Sequence, residues 1–116
     1  YRQDEAFTRF IEEEFPAIVR RAKSENVGIY WFCEGRVSRS ISIAGAVTAR
    51  GTARFSFFEG GISQKKFILL MKRLITYADR KVFFIAANKK AFQGENVRAW
   101  LKNKENRIEV FYHPTI

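Results

Sequence analysis

Apolar residues recur along this chain in two rhythms, one with the period of a helix and one with the period of a strand. Phe7, Phe10, Ile11 and Phe15 stand at i, i+3, i+4 and i+8 with glutamates opposite, which predicts an amphipathic helix over 4–14. Pro16 either ends that helix or opens the next, because proline fits a first helical turn. Ile18, Val19 and Ala22 give the second segment its apolar face, and the stretch 24–28 closes it. The run Gly28-Ile29-Tyr30-Trp31-Phe32-Cys33 then reads as a strand buried on both faces. From Arg39 to Thr48 the alternation is strict, with Ile41, Ile43, Gly45 and Val47 on one side and Ser42, Ala44, Ala46 and Thr48 on the other. Arg50-Gly51 supplies a turn, and Phe55-Ser56-Phe57 returns as an antiparallel strand.

Ser63 is placed to cap the clearest helix of the chain. Phe67, Leu70, Met71, Leu74, Ile75 and Ala78 form its unbroken apolar stripe, with Lys65, Lys66, Lys72 and Arg73 on the other side. A buried parallel strand over 81–87 follows, then a helix near 95–104 carrying Val97, Trp100 and Leu101, then a last strand over 108–112. The predicted order is two helices, three meandering strands, then helix, strand, helix, strand. An α/β enzyme places its chemistry at the carboxyl end of such a central strand. Here that end carries Ala87, which offers no acid, hydroxyl or imidazole.

Composition sets the scale. At 116 residues, 47% hydrophobic and with 12 phenylalanines, the chain suffices for one packed domain and is too short for two. No apolar run approaches the roughly 20 residues that span a bilayer, so no membrane association is expected. The chain begins at Tyr1 without a methionine or a signal-peptide pattern and is read as a fragment. A single cysteine, Cys33, excludes an intrachain disulfide and fits a reducing cytoplasm. The net charge of +9 is unevenly spread. Residues 1–15 carry two basic and five acidic side chains, a net of −3, while 16–116 carry 19 basic and 7 acidic ones, a net of +12. A basic body of that size favours polyanions, and nucleic acid is the commonest of these in a cell. The alternative is a basic surface that serves solubility alone.

Four stretches, taken in order and spacing, resemble the catalytic domain of insertion-sequence transposases of the mariner superfamily, of the DDE type. They are FPAIVRRAKSENVGIYW, ISIAGAVTARGTARFSFFEG, FILLMKRLITYADRKVFFIAAN and NVRAWLKNKENRIEVFYHP. The resemblance covers about residues 14–114 and implies an α/β, RNase H-like fold, with a mixed five-stranded sheet in the order 3-2-1-4-5. It divides the chain into an acidic amphipathic helix over 1–15 and a transposase-type domain over 16–116 that lacks its C-terminal helix. It also implies a centre in which three carboxylates hold two divalent ions for in-line phosphoryl displacement. The first acid falls at Cys33 and the second at Ala87, where the family carries Asp-Asn. The third lies on a helix beyond the last strand, and the chain stops at Ile116 before reaching it. The resemblance therefore implies a scaffold without catalysis and without a cofactor, Mg²⁺ being expected only in active relatives. Glu34 looks like the acidic neighbour that follows the first family carboxylate; strand alternation turns it away from the side used by residue 33.

Other residues compete for attention. Cys33, His113 and Glu34 make a conceivable thiol–imidazole or metal site near one edge of the sheet, but no orienting group or paired ligand spacing accompanies them. Cys33 reads more simply as a small buried hydrophobe. Arg36 and Arg39 at the shortened hairpin, with Lys89 and Lys90 after the central strand, are expected to border the old active-site groove. Arg50 and Arg54 flank the hairpin turn at the opposite edge. Such side chains contact phosphates without reading sequence, or they form a solvated face. Tyr112 and Phe92 are weak candidates for stacking on bases, while Trp31 and Trp100 pattern as core. DNA is the expected partner. A homodimer, through exchange or docking of the N-terminal helix, or association with a full-length transposase is the expected assembly.

Overall fold

The computed structural model describes the backbone of residues 2–114 and the side chains of residues 5–114. Tyr1, Thr115 and Ile116, and with them the outer bounds of the two expected segments, lie outside the described residues. The amino-terminal helix is longer than its pattern indicates. Helix α1 (Arg2–Arg9) passes through a π-helical turn (Phe10–Glu14) into α2 (Phe15–Glu25) without a break. In the wide turn the Phe15 N–H donates to the Phe10 carbonyl. The five-residue spacing brings both rings to one side, where an ordinary helix would set them about 140° apart. Pro16 stands in the first turn of α2, where its missing N–H costs nothing. Asn26, in the left-handed conformation at φ 56°, ends the helix.

Five strands follow: β1 (Gly28–Arg36), β2 (Ile41–Val47), β3 (Ala53–Glu59), β4 (Val82–Ala87) and β5 (Ile108–His113). They form one sheet in the order β3-β2-β1-β4-β5, antiparallel on the hairpin side and parallel from β1 through β5. Helices α3 (Gln64–Tyr77) and α4 (Glu95–Lys102) make the two crossovers. The expected sheet order and element order are both present. Ser63 caps α3 as expected, its hydroxyl accepting from the Lys66 N–H at 3.3 Å.

Both crossover helices pack on one face, where Phe67, Leu70, Met71, Leu74 and Val97 meet Phe32, Val82, Phe84 and Ile108. The other face is closed by the amino-terminal helix of the same chain, through Phe10, Ile18 and Ala22 against Phe83 and Ile85. The helix thus docks on the sheet of its own chain. It covers β1, β4 and β5 and leaves the hairpin open.

That partial cover corrects one reading of the pattern and decides two points that the alternation leaves open. Strand β1 is not buried on both faces; from Cys33 to Arg36 it is exposed, because neither helical layer reaches its end. In β2 the core side is the small one: Ser42, Ala44 and Ala46 are buried beside Phe32, Phe58 and Phe67, whose rings leave room for little more than a methyl group. The larger Ile41, Ile43 and Val47 lie half-buried on the open side. Phe55 and Phe57 of β3 share that side and are 49% and 67% exposed. Gly45 lies beneath Phe55; a Cβ there would stand 2.2 Å from the Arg54 carbonyl oxygen and 2.5 Å from the ring.

Candidate active site and nucleic-acid interface

The register of the parallel strands decides what meets at the carboxyl end of the sheet. Trp31 and Ile85 form the last pair of the β1–β4 ladder, and Cys33 and Ala87 each follow two residues beyond it on their own strands. On its other side Ala87 pairs with His113 of β5. The two positions where carboxylates are expected thus lie near the ends of adjacent strands, with Cys33 exposed and Ala87 packed at the edge of the core. His113, the partner of Ala87, has an aromatic setting. The His113 ring lies 5.3 Å from Phe7, 6.0 Å from Phe10 and 6.0 Å from Trp31, centroid to centroid. Phe10 and Phe15 pack in turn against Trp31. His113 Nδ1 sits 2.8 Å from the Pro114 carbonyl oxygen.

These residues do not fit a pair of divalent ions. Hard cations of the Mg²⁺ type need oxygen donors. Cys33 offers a sulfur whose thiol is pushed up by partial desolvation, although the residue as a whole is exposed. Ala87 offers nothing. Glu34 points to the opposite face, as strand alternation requires, and its Oε1 is 2.5 Å from Lys89 Nζ. Among the described residues no three of His, Cys, Asp and Glu come together as a metal-holding group, so Cys33, His113 and Glu34 do not assemble into one. Cys33 is also not the buried hydrophobe its pattern implied; it lies on the uncovered part of β1.

The expected nucleic-acid residues fall into separate environments. Lys89 is held by Glu34, and Arg36 donates to the Arg39 carbonyl at 2.7 Å, which rigidifies the four-residue turn between β1 and β2. Lys90 stands exposed in the short 3₁₀ turn that follows. At the other end of the sheet, Arg50 is exposed beside the β2–β3 turn, where Gly51 takes a φ of 88°. Arg54 lies elsewhere, its guanidinium 4.2 Å from the centre of the Tyr77 ring. Two stacking candidates are withdrawn by their burial. Phe92 is 1% exposed and stacks on Phe67 at 4.4 Å, while Tyr112 is half-buried with its hydroxyl donating to the Phe92 carbonyl. Burial also raises the Tyr112 phenol above its ordinary range.

A mixed sheet in the order 3-2-1-4-5 agrees with the comparisons with known proteins. The family model described as DDE superfamily endonuclease matches residues 30–116, three-quarters of the chain. The chain belongs to that family. Among solved structures, the catalytic core domain of BIV integrase is similar in fold, with a TM-score of 0.59 at 12% identity over 72% of this chain and 54% of the integrase chain. The chain thus spans about half the length of that integrase chain. No curated protein matches it in sequence. No helix among the described residues is long and apolar enough to cross a membrane.

Within this DDE domain, pattern reasoning missed three features. The aromatic cover of His113 depends on the π-helical turn, which leaves no periodic signature. The open hairpin face depends on how far one helix extends. A basic cleft at the amino ends of β1 and β4 joins Lys23, Arg50, Arg80 and Lys81 from three separate segments; the Asp79-Arg80-Lys81 run before the central strand was its one visible hint.

Proposed function

We propose that this chain is a DDE domain without catalytic activity that keeps a basic, sequence-nonspecific DNA-binding surface. The observation that carries this reading is the chemistry at the paired strand ends: a thiol and a methyl group stand where the family has carboxylates, next to an imidazole packed among Phe7, Phe10 and Trp31. No cofactor is expected to bind there. The surplus of 19 basic over 7 acidic side chains in residues 16–116 supports the DNA-binding part. Arg36, Arg39, Lys89, Lys90, Arg50 and Arg54 are the proposed phosphate contacts, with Lys89 weakened by its ion pair. A cytoplasmic, nucleoid-associated location goes with this function.

The test is a salt titration of duplex-DNA binding beside a plasmid-nicking assay. Six or more phosphate contacts imply a loss of affinity of about 10³-fold or more between about 50 and 200 mM salt. Binding with that slope, no sequence preference and no Mg²⁺- or Mn²⁺-dependent nicking is the expected result.

One observation favours a second reading, a protein-interaction module. Phe55 and Phe57 lie exposed on an edge strand whose outer backbone groups are unpaired, a surface suited to a second copy or to an intact transposase. Light scattering at tens of micromolar separates the two: a dimer without DNA affinity selects the second reading.

A further inference from the structure

A concavity lies at the end of the sheet where β1 and β4 begin, away from Cys33 and Ala87. It has a volume of about 890 Å³ and is framed by the end of α2, the β2–β3 turn and the segment that leads from α3 into β4. Four cationic side chains line it, Lys23, Arg50, Arg80 and Lys81, against one acidic side chain, Asp79. Lys81 has a distant partner, Glu109 at 4.0 Å. The other three have no carboxylate within ion-pair distance among the described residues.

The cleft is also organised. Asn26 adopts the left-handed conformation that closes α2, and from that position its Oδ1 accepts from Arg80 at 2.7 Å. A neutral amide orients the guanidinium and leaves its charge uncompensated. The negative end of α2 opens nearby, and its Ala22 and Lys23 carbonyls already accept from Val27 and Asn26. Thr48 accepts from the Thr52 N–H, which leaves its hydroxyl proton available to a ligand.

The carboxyl end of the sheet differs. There Lys89 is ion-paired with Glu34, and Arg36, which donates to the neutral Arg39 carbonyl, stands with Arg39 and Lys90 on exposed surface. Cations without an ion-pair partner occur at both ends of the sheet, but where β1 and β4 begin they converge on a concavity. We infer that the sugar-phosphate backbone of nucleic acid is held in this cleft, by Lys23, Arg50 and Arg80, at the end of the sheet opposite the vacated catalytic positions. This inference rests on the DNA-binding reading and locates it.

Two triple variants of equal charge test the assignment: Lys23→Gln with Arg50→Gln and Arg80→Gln, and Arg36→Gln with Arg39→Gln and Lys90→Gln. Each removes three positive charges, so a general loss of charge affects both alike. Fluorescence anisotropy with a labelled duplex of about 20 base pairs at about 50 mM salt gives the affinities. The cleft variant is expected to bind about 10-fold or more weakly than wild type, with its salt slope reduced by about 2.7, while the other loses a few-fold. Equal losses, or a larger loss from the second variant, overturn the cleft while leaving DNA binding in place. Failure of the wild-type protein to bind overturns both. Should the cleft variant not fold, amide shifts of the wild-type protein decide: DNA-induced changes centred on 26–28 and 48–52 support the cleft, and changes centred on 34–40 and 88–92 defeat it.

Discussion

Lys89 reaches across from the end of β4 to Glu34 of β1, Nζ to Oε1 at 2.5 Å, on the side of β1 opposite Cys33. The contact ties together the two strand ends between which a DDE centre would be built. It also weakens Lys89 as a phosphate contact, because Glu34 offsets its charge. Glu34→Gln should therefore free Lys89 and tighten duplex-DNA binding by a few-fold at low salt. Anisotropy titrations read this directly; unchanged or weaker binding in the variant contradicts it.

Restoring carboxylates tests the metal chemistry. Cys33→Asp with Ala87→Asp places two like charges on adjacent strands beside an aromatic cluster, so the melting temperature should fall. Millimolar Mn²⁺ should recover part of that loss in the double variant and leave the wild-type melting temperature unchanged. A comparable Mn²⁺ effect on the wild-type protein would reveal a site that Cys33 and Ala87 do not account for.

Phe10 links the amino-terminal helix to the sheet. It is 1% exposed and packs against Phe7, Trp31 and His113. Phe10→Ala should cost about 3–5 kcal/mol in a denaturant titration. A cost below about 1 kcal/mol would mean that the helix does not close this face in solution.

Gly45 allows Phe55 to lie across the hairpin. With the Arg54 carbonyl oxygen 2.2 Å from the position of a Cβ, Gly45→Val has no room and should destabilise the fold by about 1–3 kcal/mol. Phe55→Ala combined with Gly45→Val should recover less than half of that, because the backbone clash remains. Full recovery would assign the conflict to the ring alone.

Arg21 bridges Glu25 at 2.9 Å and Glu109 at 3.0 Å. Its hydrogen bond holds the Glu25 carboxyl below the ordinary value of 4.5. A lowered folded-state pKa contributes stability above the unfolded value, and that contribution fades as pH falls through the folded value. The stability difference between wild type and Glu25→Gln should therefore be present near neutral pH and vanish in acid. Denaturant midpoints at about pH 7 and about pH 2.5 check the sign, and a difference that grows in acid reverses it.

The order of the elements and the sheet order were legible in the sequence alone. They rest on local periodicity, on turn chemistry at Ser63 and Gly51, and on the family spacing of four stretches. The chain-wide charge was legible for the same reason, since it sums over residues wherever they lie. Tertiary structure decided the rest. Alternation in β2 separates two sides, but only the rings of Phe32, Phe58 and Phe67 make the small side the core. Composition counts Glu34 and Lys89 as opposite charges 55 residues apart; the parallel pairing of β1 with β4 makes them one neutral contact. Lys23, Arg50 and Arg80 become one cleft because the amino ends of two strands, a helix cap and a hairpin turn converge. Periodicity specifies what each segment can bury, whereas long-range packing determines which charges are left without a partner.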